Sequence, residues 1–457
     1  MTILSMQIPE NIKSFSAYDI GQLLQKKKMC PIDLVNFYYN EIESYKKPNP
    51  FTILTKQRAF SEAENSKKRL LEDNPLSPLD GVPVAWKDLF DFKDFITVGG
   101  SKLLENNNPA IKDADVVSLA KKAGLIQLGK TTTVEFALGG LGTNNNFITP
   151  ENAIMKDNPR VPGGSSSGSG VALADGLCAA SFGTDTGGSV RVPSAWNKLI
   201  GLKTSFGRVS LKGVLPLSST LDTVGPLAKS VMDISLLFSI LTNQPYIKFN
   251  KINLRNTKIL VVKGMPWKDC DIEIEKAAEE AIKKLSKAGI QIIEKEILEI
   301  EEMHKILSEH GTTVTYQGYA EWKDLIEKNS DLMDINVLNR MYQGKYMKQS
   351  SIKIVEESQI ALSKKLYSSI ENYDAILMPT IPILPPKINE VQSNEQLYDK
   401  YNMLALRNTR IGNVLPMCSI SLPCPGDLPI GIMLSMSIEN DEKLINLAES
   451  IYNIIKQ

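Results

Sequence analysis

A run of glycines ends at Ser189, in a segment that could supply a catalytic nucleophile. The segment follows a short apolar run and reads Gly183-Thr184-Asp185-Thr186-Gly187-Gly188-Ser189. Because glycine has no Cβ, consecutive glycines let backbone N–H groups converge in front of the serine. Converging donors stabilise the oxyanion that forms when a nucleophile attacks a carbonyl carbon. Taken alone, the Gly-Gly-Ser pattern is a weak indication of such a site.

A second segment rich in glycine and serine runs from Arg160 to Gly170. Such tracts often form flexible linkers, but this one is short and leads directly into the apolar run Val171-Ala172-Leu173-Ala174. We therefore interpret it as a tight backbone platform at the start of a helix. This interpretation places its serines, Ser165 included, in ordered structure.

The shortage of histidines restricts how a serine could be activated here. A serine hydroxyl is a poor nucleophile unless a base within hydrogen-bond reach takes its proton, and the usual base is histidine. The chain has only His304 and His310, both in one charged segment that predicts a surface helix. Lysine is the remaining candidate, provided that burial or neighbouring cations keep its amine neutral.

Lys87 has the most apolar flanks of the lysines, because it follows Val82-Pro83-Val84-Ala85-Trp86 and precedes Leu89-Phe90. The local sequence alone favours a simpler role, a lysine at a strand end whose ammonium group extends into solvent. A catalytic serine would require the opposite, a lysine whose amine is buried. The local sequence leaves both interpretations open.

Three patterns match known motifs but lack the context that those motifs need. Gly124 to Thr131 matches the phosphate-binding loop letter for letter, yet Leu125 to Leu128 predicts a strand where that loop needs free backbone N–H groups. Gly164 to Gly168 matches the G-x-S-x-G nucleophile elbow without a clear strand before it or a histidine partner. Ser-x-x-Lys occurs on ordinary amphipathic helices, at Ser118–Lys121 and Ser350–Lys353.

Helical and strand patterns alternate along most of the chain. Strands are predicted at 179–184, 375–378, 417–423 and 430–436. Helices are predicted at 114–123, 271–288, 353–372 and 442–455. This alternation predicts an α/β fold, a single large layered domain whose mixed and mostly parallel β-sheet is covered by helices on both faces. No internal repeat or long linker divides the 457 residues.

The composition disfavours several classes of partner. Lys and Arg number 52, equal to Asp and Glu, so no net charge would attract nucleic acid or an anionic membrane. No stretch of about 18 apolar residues predicts a membrane span, and Met1 to Phe15 lacks the pattern of a secretory signal. The five cysteines are scattered without a CxxC pair, which favours the reducing cytoplasm and disfavours a zinc site.

Together these segments resemble the amidase signature family. The matching blocks are Pro78–Asp88, Arg160–Gly170, Gly183–Ser194, Gly201–Thr204 and Leu221–Leu227, with looser matches at Met378–Thr380 and Leu415–Pro423. The resemblance covers nearly the whole chain and implies one amidase domain over 1–457. Its parts would be an N-terminal helical segment (1–75), the signature core (78–227) and a remainder with the substrate-pocket segment (230–457).

The resemblance implies a Ser–Ser–Lys triad that needs neither a metal nor an organic cofactor. Ser189 corresponds to the nucleophile, Ser165 to the bridging serine and Lys87 to the base, which reverses the local preference for an exposed lysine. In the family a cis peptide bond precedes the bridging serine, here Gly164–Ser165.

The same resemblance implies an oxyanion hole in the glycine-rich loop. Its donors would be the backbone N–H groups of Thr186, Gly187 and Gly188, together with that of Ser189. Asp185 and Arg191 match positions that brace this loop in the family, so we expect them to hold it in place and to take no part in the reaction.

The implied function is hydrolysis of the C–N bond of a small amide through an acyl-enzyme, with release of a carboxylic acid and ammonia or an amine. Alternatives within the family are hydrolysis of a carbamate or urea-derived amide, and the amidase component of a glutamyl-tRNA amidotransferase. That component typically has Asn-Met-Asp before Glu-Phe, where this chain reads Gly129-Lys130-Thr131-Thr132-Thr133-Val134-Glu135-Phe136. A binding protein without catalysis is the alternative of a different class, and the intact triad argues against it.

The expected partner is a small-molecule amide, and neither nucleic acid nor a membrane is expected as a partner. The sequence leaves open whether the chain forms a homodimer. Arg407 and Arg410 could hold a substrate carboxylate bidentately, although we expect them to form surface salt bridges. Residues 312–345 either line the pocket or pack in the core with their aromatic side chains, which are Tyr316, Tyr319, Trp322 and Tyr342.

Overall fold

Short apolar segments form eleven β-strands that join one sheet within residues 8–457, the part of the chain that the computed structural model describes. The strands are β1 (Phe51–Leu54), β2 (Pro83–Lys87), β3 (Ile126–Thr131), β4 (Ala180–Thr184), β5 (Ile200–Lys203), β6 (Val224–Ala228), β7 (Lys258–Val262), β8 (Gln291–Lys295), β9 (Ala375–Pro379), β10 (Met417–Pro423) and β11 (Gly431–Ser437).

Fifteen α-helices of the described residues surround the sheet. They are α1 (Ala17–Gln25), α2 (Pro31–Glu43), α3 (Lys56–Leu71), α4 (Asp115–Lys122), α5 (Ser167–Ala174), α6 (Arg191–Trp196), α7 (Val231–Thr242), α8 (Ile272–Lys287), α9 (Leu298–His310), α10 (Thr313–Asn329), α11 (Ile335–Lys345), α12 (Gln349–Ile370), α13 (Ile388–Gln392), α14 (Glu395–Val414) and α15 (Asp441–Ile455). Local sequence starts several of them. Pro31 begins α2, where its missing N–H costs nothing, and Ser230 with Asp233 forms a capping box on α7.

The strand order is β1-β3-β2-β4-β6-β5-β10-β11-β9-β7-β8. Parallel pairing is confined to two groups, β3-β2-β4 and β9-β7-β8. The strands between these groups pair antiparallel, as does β1 with β3. The predicted mixed sheet of a single large α/β domain is confirmed, and its parallel part lies in these two groups.

Helices cover both faces of the sheet, and the side chains of β7 show why. Ile259 and Val261 belong to one hydrophobic core, which also receives α7 and α15, whereas Leu260 and Val262 belong to a second core with α9 and α12. Successive side chains of a strand point to opposite faces. Because β7 is apolar on both faces from Ile259 to Val262, it needs a helix layer on each side.

The predicted helices and strands are confirmed with shifts of a few residues at their ends. The helix expected at 353–372 begins earlier, at Gln349, and the strand expected at Leu125–Leu128 continues to Thr131. No helix of the described residues is long and apolar enough to cross a membrane. Residues 1–7, part of the segment searched for a secretory signal, lie outside the described residues.

Candidate active site

The amine of Lys87 is buried at the end of a central strand. β2 lies between β3 and β4, and every residue of the strand is buried. Lys87 Nζ donates hydrogen bonds to Ser165 Oγ and Thr184 Oγ1, both at 2.7 Å. Burial lowers the pKa of Lys87 to about 7, against the opposing charges of Asp222 and Asp185. The lysine therefore does not extend into solvent.

Ser165 lies just before α5, with its hydroxyl against the lysine amine. The Gly164–Ser165 peptide bond is cis. The carbonyl of Ser165 accepts hydrogen bonds from the Val134 N–H at 3.2 Å and from the Thr133 hydroxyl at 3.0 Å. The residue is fully buried. The segment is thus an ordered platform at a helix start and not a linker.

Ser189 lies in the loop that joins β4 to α6. Its carbonyl accepts a hydrogen bond from the Ser166 N–H at 3.3 Å, so the loop contacts the residue that follows Ser165. Within the described chain no hydrogen bond joins the Ser189 hydroxyl to that of Ser165. The structure thus brings Lys87 and Ser165 into direct contact and places Ser189 on the adjoining segment, where it lines a cavity.

A buried ion pair braces this loop. Asp185 accepts hydrogen bonds from Arg191 Nε at 3.0 Å and Nη2 at 2.8 Å, and from the Val190 N–H at 3.1 Å. Asn413 Nδ2 also donates to Asp185, at 3.0 Å. Burial alone would raise the pKa of Asp185, but the Arg191 guanidinium holds it below its usual range. These contacts tie both ends of the glycine-rich loop to α6 and α14.

The backbone N–H groups from Thr186 to Ser189 are available as donors. None of them donates to an acceptor in residues 8–457. Gly188 has φ of 140°, and a Cβ there would lie 2.1 Å from Thr409 Oγ1, so only glycine fits. A Cβ at Gly187 would meet no atom within 4 Å, because that position faces open space.

Two cavities meet beside the nucleophile candidate. The inner cavity, about 30 Å³, is lined by Ser189, by Thr186 and Gly187 of the loop, and by apolar residues such as Leu217. The outer cavity holds about 950 Å³. Three residues line both, and they are Thr312, Arg340 and Arg410. Separate cavities of about 720 Å³ and 240 Å³ are lined by none of Lys87, Ser165 and Ser189.

The expectation of surface salt bridges for Arg407 and Arg410 is wrong. Neither guanidinium lies within 4.0 Å of a carboxylate in the described chain. Arg407 is 8% exposed and donates to the Pro266 carbonyl at 3.2 Å, while Arg410 lines both cavities. The cause is the fold, which turns this part of α14 towards the cavities and leaves the carboxylates that line the outer cavity beyond ion-pair distance.

Residues 312–345 line the cavities with small and charged side chains. Thr312 and Arg340 contribute, as does Val314. The aromatic residues lie elsewhere: the ring of Trp322 is 4.7 Å from that of Phe136, and its Nε1 donates to a backbone carbonyl at 2.9 Å. Tyr319, Trp322 and Tyr342 pack against a core cluster that includes Phe136 and Leu217.

The histidines lie on α9, as predicted, but only in part on the surface. His304 is half-buried and lines the outer cavity, whereas His310 Nδ1 lies 3.3 Å from the Ser351 hydroxyl. Burial lowers the pKa of His304, and the charges of Arg410 and Arg407 lower it further. Neither histidine contacts Ser189 or Ser165.

The motif matches without the required context do not form the sites that their patterns suggest. Gly129 and Lys130 lie within β3, and Lys130 Nζ is buried, donating to Asp88 Oδ1 at 2.9 Å. The two Ser-x-x-Lys matches lie on α4 and α12. No phosphate-binding loop exists at this position, because its backbone is committed to strand pairing.

Two site residues escaped the sequence analysis. Thr184 lies inside the glycine-rich block and could have been found, because β2 and β4 are parallel and their carboxyl ends meet at one edge. Arg340 gave no such signal. It lies on an amphipathic helix among polar residues, and only the fold turns it towards Ser189.

Comparison with known proteins agrees with this geometry. The family model described as Amidase matches residues 33–445. The 2-amino-5-chloromuconic acid deaminase of Comamonas testosteroni is 32% identical, with 88% of this chain and 87% of that protein covered. A glutamyl-tRNA(Gln) amidotransferase subunit from Sulfolobus acidocaldarius is 32% identical, with 96% and 98% covered. A crystal structure of an amidase superposes with a TM-score of 0.86 at 26% identity, covering 96% of this chain and 100% of the other.

The fold and the range of residues that the family model matches together identify the family of this chain. The chain belongs to the amidase signature family. It is an enzyme that hydrolyses carbon–nitrogen bonds of amides.

Proposed function

We propose that this enzyme cleaves a small amide through a Ser–Ser–Lys acyl-enzyme mechanism and releases a carboxylic acid and ammonia or an amine. The observation that carries the proposal is the 2.7 Å contact between Lys87 Nζ and Ser165 Oγ. No carboxylate of the described residues forms an ion pair with this amine. Because burial lowers its pKa to about 7, a large fraction of the amine is neutral and basic near neutral pH.

The first half of the reaction forms the acyl-enzyme. Ser189 Oγ attacks the amide carbon while its proton passes to Ser165 Oγ, whose own proton passes to Lys87 Nζ. The oxygen of the amide carbonyl becomes an oxyanion, which the free N–H groups of the loop at Thr186 to Ser189 can bind. The relay then reverses, Lys87 returns a proton through Ser165 to the leaving nitrogen, and the C–N bond breaks.

The second half repeats these proton transfers with water. Water loses a proton to the relay as it attacks the ester carbon of the acyl-enzyme, and the proton returns to Ser189 Oγ as the ester bond breaks. Thr184 Oγ1 is the second acceptor for the Lys87 amine and holds Nζ in place throughout. Every residue in these steps belongs to this chain.

Two alternative substrate classes stay within this chemistry. A carbamate or urea-derived amide would react at the same Ser189. The amidase component of a tRNA-dependent amidotransferase is the other, since relatives with that name are 30–32% identical. In this chain Thr133 binds the Ser165 carbonyl through its hydroxyl, at a position where that component typically has another residue type. Release of free ammonia by the isolated chain would separate the small-amide function from a function that requires partner proteins.

The compartment that we propose is the cytoplasm, and the partner a small molecule. All five cysteines are free thiols, four of them buried. Unpaired cysteines are typical of a reducing compartment.

Replacement of Ser189 tests the proposal. Ser189→Ala should abolish both ammonia release from simple amides and covalent labelling by a fluorophosphonate probe, because both need the Oγ nucleophile. Ser118→Ala on α4 is the matched control and should keep both signals. Unchanged labelling or turnover in the Ser189→Ala protein would contradict the assignment of the nucleophile.

A further inference from the structure

Two arginines face the cavity beside the nucleophile. Arg340 lies on α11 and Arg410 near the end of α14, and both line the inner cavity together with Ser189. They also line the outer cavity, so they stand where the two cavities meet. A substrate bound to Ser189 and extending into the outer cavity would therefore pass beside these two guanidinium groups.

Neither arginine has a counter-ion. In residues 8–457 no carboxylate lies within 4.0 Å of Arg340 or Arg410. Arg340 is only 8% exposed, and its one hydrogen bond is a long one, 3.5 Å to the Leu138 carbonyl. Arg410 makes no hydrogen bond to a described residue. Buried charges are normally paired and hydrogen-bonded, because leaving water is costly for an ion.

The two positive charges also oppose each other. Burial lowers the pKa of Arg340, and burial followed by the charge of Arg340 lowers that of Arg410 to about 10. A guanidinium group stays charged near neutral pH in proteins. The fold thus keeps two mutually repelling cations next to the nucleophile, which is unfavourable for stability alone.

The acidic residues of the region do not neutralise this pair. The outer cavity is also lined by the cations Lys268 and Arg407 and by four carboxylates, which are Asp269, Glu296, Glu301 and Asp399. The charges of Asp269 and Glu301 act on Arg407. The charge of the exposed Asp399 raises the pKa of Arg340, but its carboxylate lies beyond ion-pair distance. The inner cavity itself is lined by no acidic residue. The outer cavity thus carries as many carboxylates as cations, but Arg340 and Arg410, at the junction of the cavities, have no ion-pair partner among the described residues.

A structural role does not account for both groups. A cation near a helix C-terminus is favourable when it binds the last carbonyls. Arg410 lies near the end of α14 but binds no carbonyl of the described chain, and Arg340 lies in the middle of α11. One substrate carboxylate would balance one guanidinium and leave the other without an anionic partner. Two anionic groups would balance both.

We propose that the substrate is an amide whose acyl portion carries two carboxylates, which Arg340 and Arg410 receive. This inference rests on the proposed amide hydrolysis at Ser189 and specifies its substrate class, amides of tricarboxylic acids or of other acids that keep two free carboxylates. The apolar side chains of Leu217 and Leu406 line the inner cavity and would contact the carbon chain between the amide and these groups.

Calorimetric binding to the Ser189→Ala protein tests the inference without turnover. The probes are butyramide, succinamate and the monoamide of propane-1,2,3-tricarboxylic acid, which carry zero, one and two carboxylates. Each charge-assisted pair should tighten binding about tenfold or more. The same affinity for succinamate as for the two-carboxylate amide, or no binding of either anion, would overturn the proposal.

Arginine variants of the Ser189→Ala protein test which residues cause the preference for two carboxylates. Arg340→Gln and Arg410→Gln should each remove the advantage of the second carboxylate, so that the two-carboxylate amide binds no more tightly than succinamate. Arg255→Gln is the matched control, because Arg255 is exposed and forms no ion pair in the described chain. Preference for the dianion that persists in both site variants would overturn the assignment.

The two proposals fail in distinguishable ways. If the proposed function is wrong, the wild-type protein will show neither fluorophosphonate labelling nor ammonia release. Failure of the substrate inference would appear as normal labelling of Ser189 together with no preference for two carboxylates. Labelling of the Arg340→Gln and Arg410→Gln variants with an intact Ser189 also shows whether they fold.

Discussion

Replacing Lys87 by methionine should change the pH dependence of stability in a way that only a buried amine can produce. Burial lowers the pKa of Lys87 from 10.5 to about 7. Between these two pH values the unfolded chain carries a proton that the folded chain does not. Stability of the wild-type protein therefore rises with pH across this window.

The size of the effect follows from the same shift. Charging this amine in the folded protein costs about 5 kcal/mol below pH 7, a cost that disappears above pH 10.5. Between pH 7 and pH 9.5 the free energy of unfolding should rise by about 3 kcal/mol more in the wild type than in Lys87→Met. Methionine leaves Ser165 Oγ and Thr184 Oγ1 without the amine, which costs about 1–3 kcal/mol for each hydroxyl left unsatisfied. The variant should therefore be the less stable protein at high pH.

Urea unfolding followed by tryptophan fluorescence measures this difference. Trp86 is a suitable reporter, because its ring stacks on Phe182 at 4.0 Å in the core beside Lys87. The shifts of Lys203 and Glu135 contribute equally to both proteins and cancel in the comparison. If the two proteins show the same rise between pH 7 and pH 9.5, Lys87 is charged in the folded state and cannot be the base. Amide hydrolysis by Lys87→Met should fall about 10²–10⁴-fold, the usual contribution of general base catalysis.

Two further predictions concern the loop that carries Ser189. Gly188→Ala should reduce activity severely, because its Cβ would lie 2.1 Å from Thr409 Oγ1 at a φ of 140°. Gly187 faces open space, so Gly187→Ala should fold normally and lose activity only by narrowing the cavity. Thermal unfolding compares the two variants, and equal melting temperatures would contradict the steric argument. Arg191→Met should lower the free energy of unfolding by about 3–5 kcal/mol, because Asp185 would stay buried without its partner. Arg255→Met is the control, and urea unfolding in which both variants match the wild type would contradict the role of the ion pair.

The sequence predicted the elements of the site better than their electrostatics. The strand that ends at Lys87, the helix start beside Ser165 and the glycine-rich loop all follow from local patterns. The burial of Lys87 does not, because it depends on β3 and β4 on either side of β2. Local sequence alone therefore favoured an exposed lysine, and the family resemblance was needed to reverse that preference.

The tertiary contacts of α11 and α14 were beyond sequence reasoning. Arg340 and Arg410 lie 70 positions apart on amphipathic helices that look like ordinary surface elements. Their meeting beside Ser189 depends on how the two helices pack against the loop. Likewise, the alternation of helices and strands predicted the α/β class, but the antiparallel pairing of the central strands depends on connections that no local pattern encodes.

The neutral state of Lys87 depends on how two nearby carboxylates are compensated. Asp185 and Asp222 both favour the charged amine, yet burial outweighs them. Asp185 is paired with Arg191, whose positive charge opposes that of Asp185. Asp222 accepts hydrogen bonds from Thr186 Oγ1 at 2.5 Å and from two backbone N–H groups, and burial raises its pKa. The contacts that shape the oxyanion loop thus also keep the lysine basic, and a change that frees either carboxylate should weaken catalysis without touching the triad.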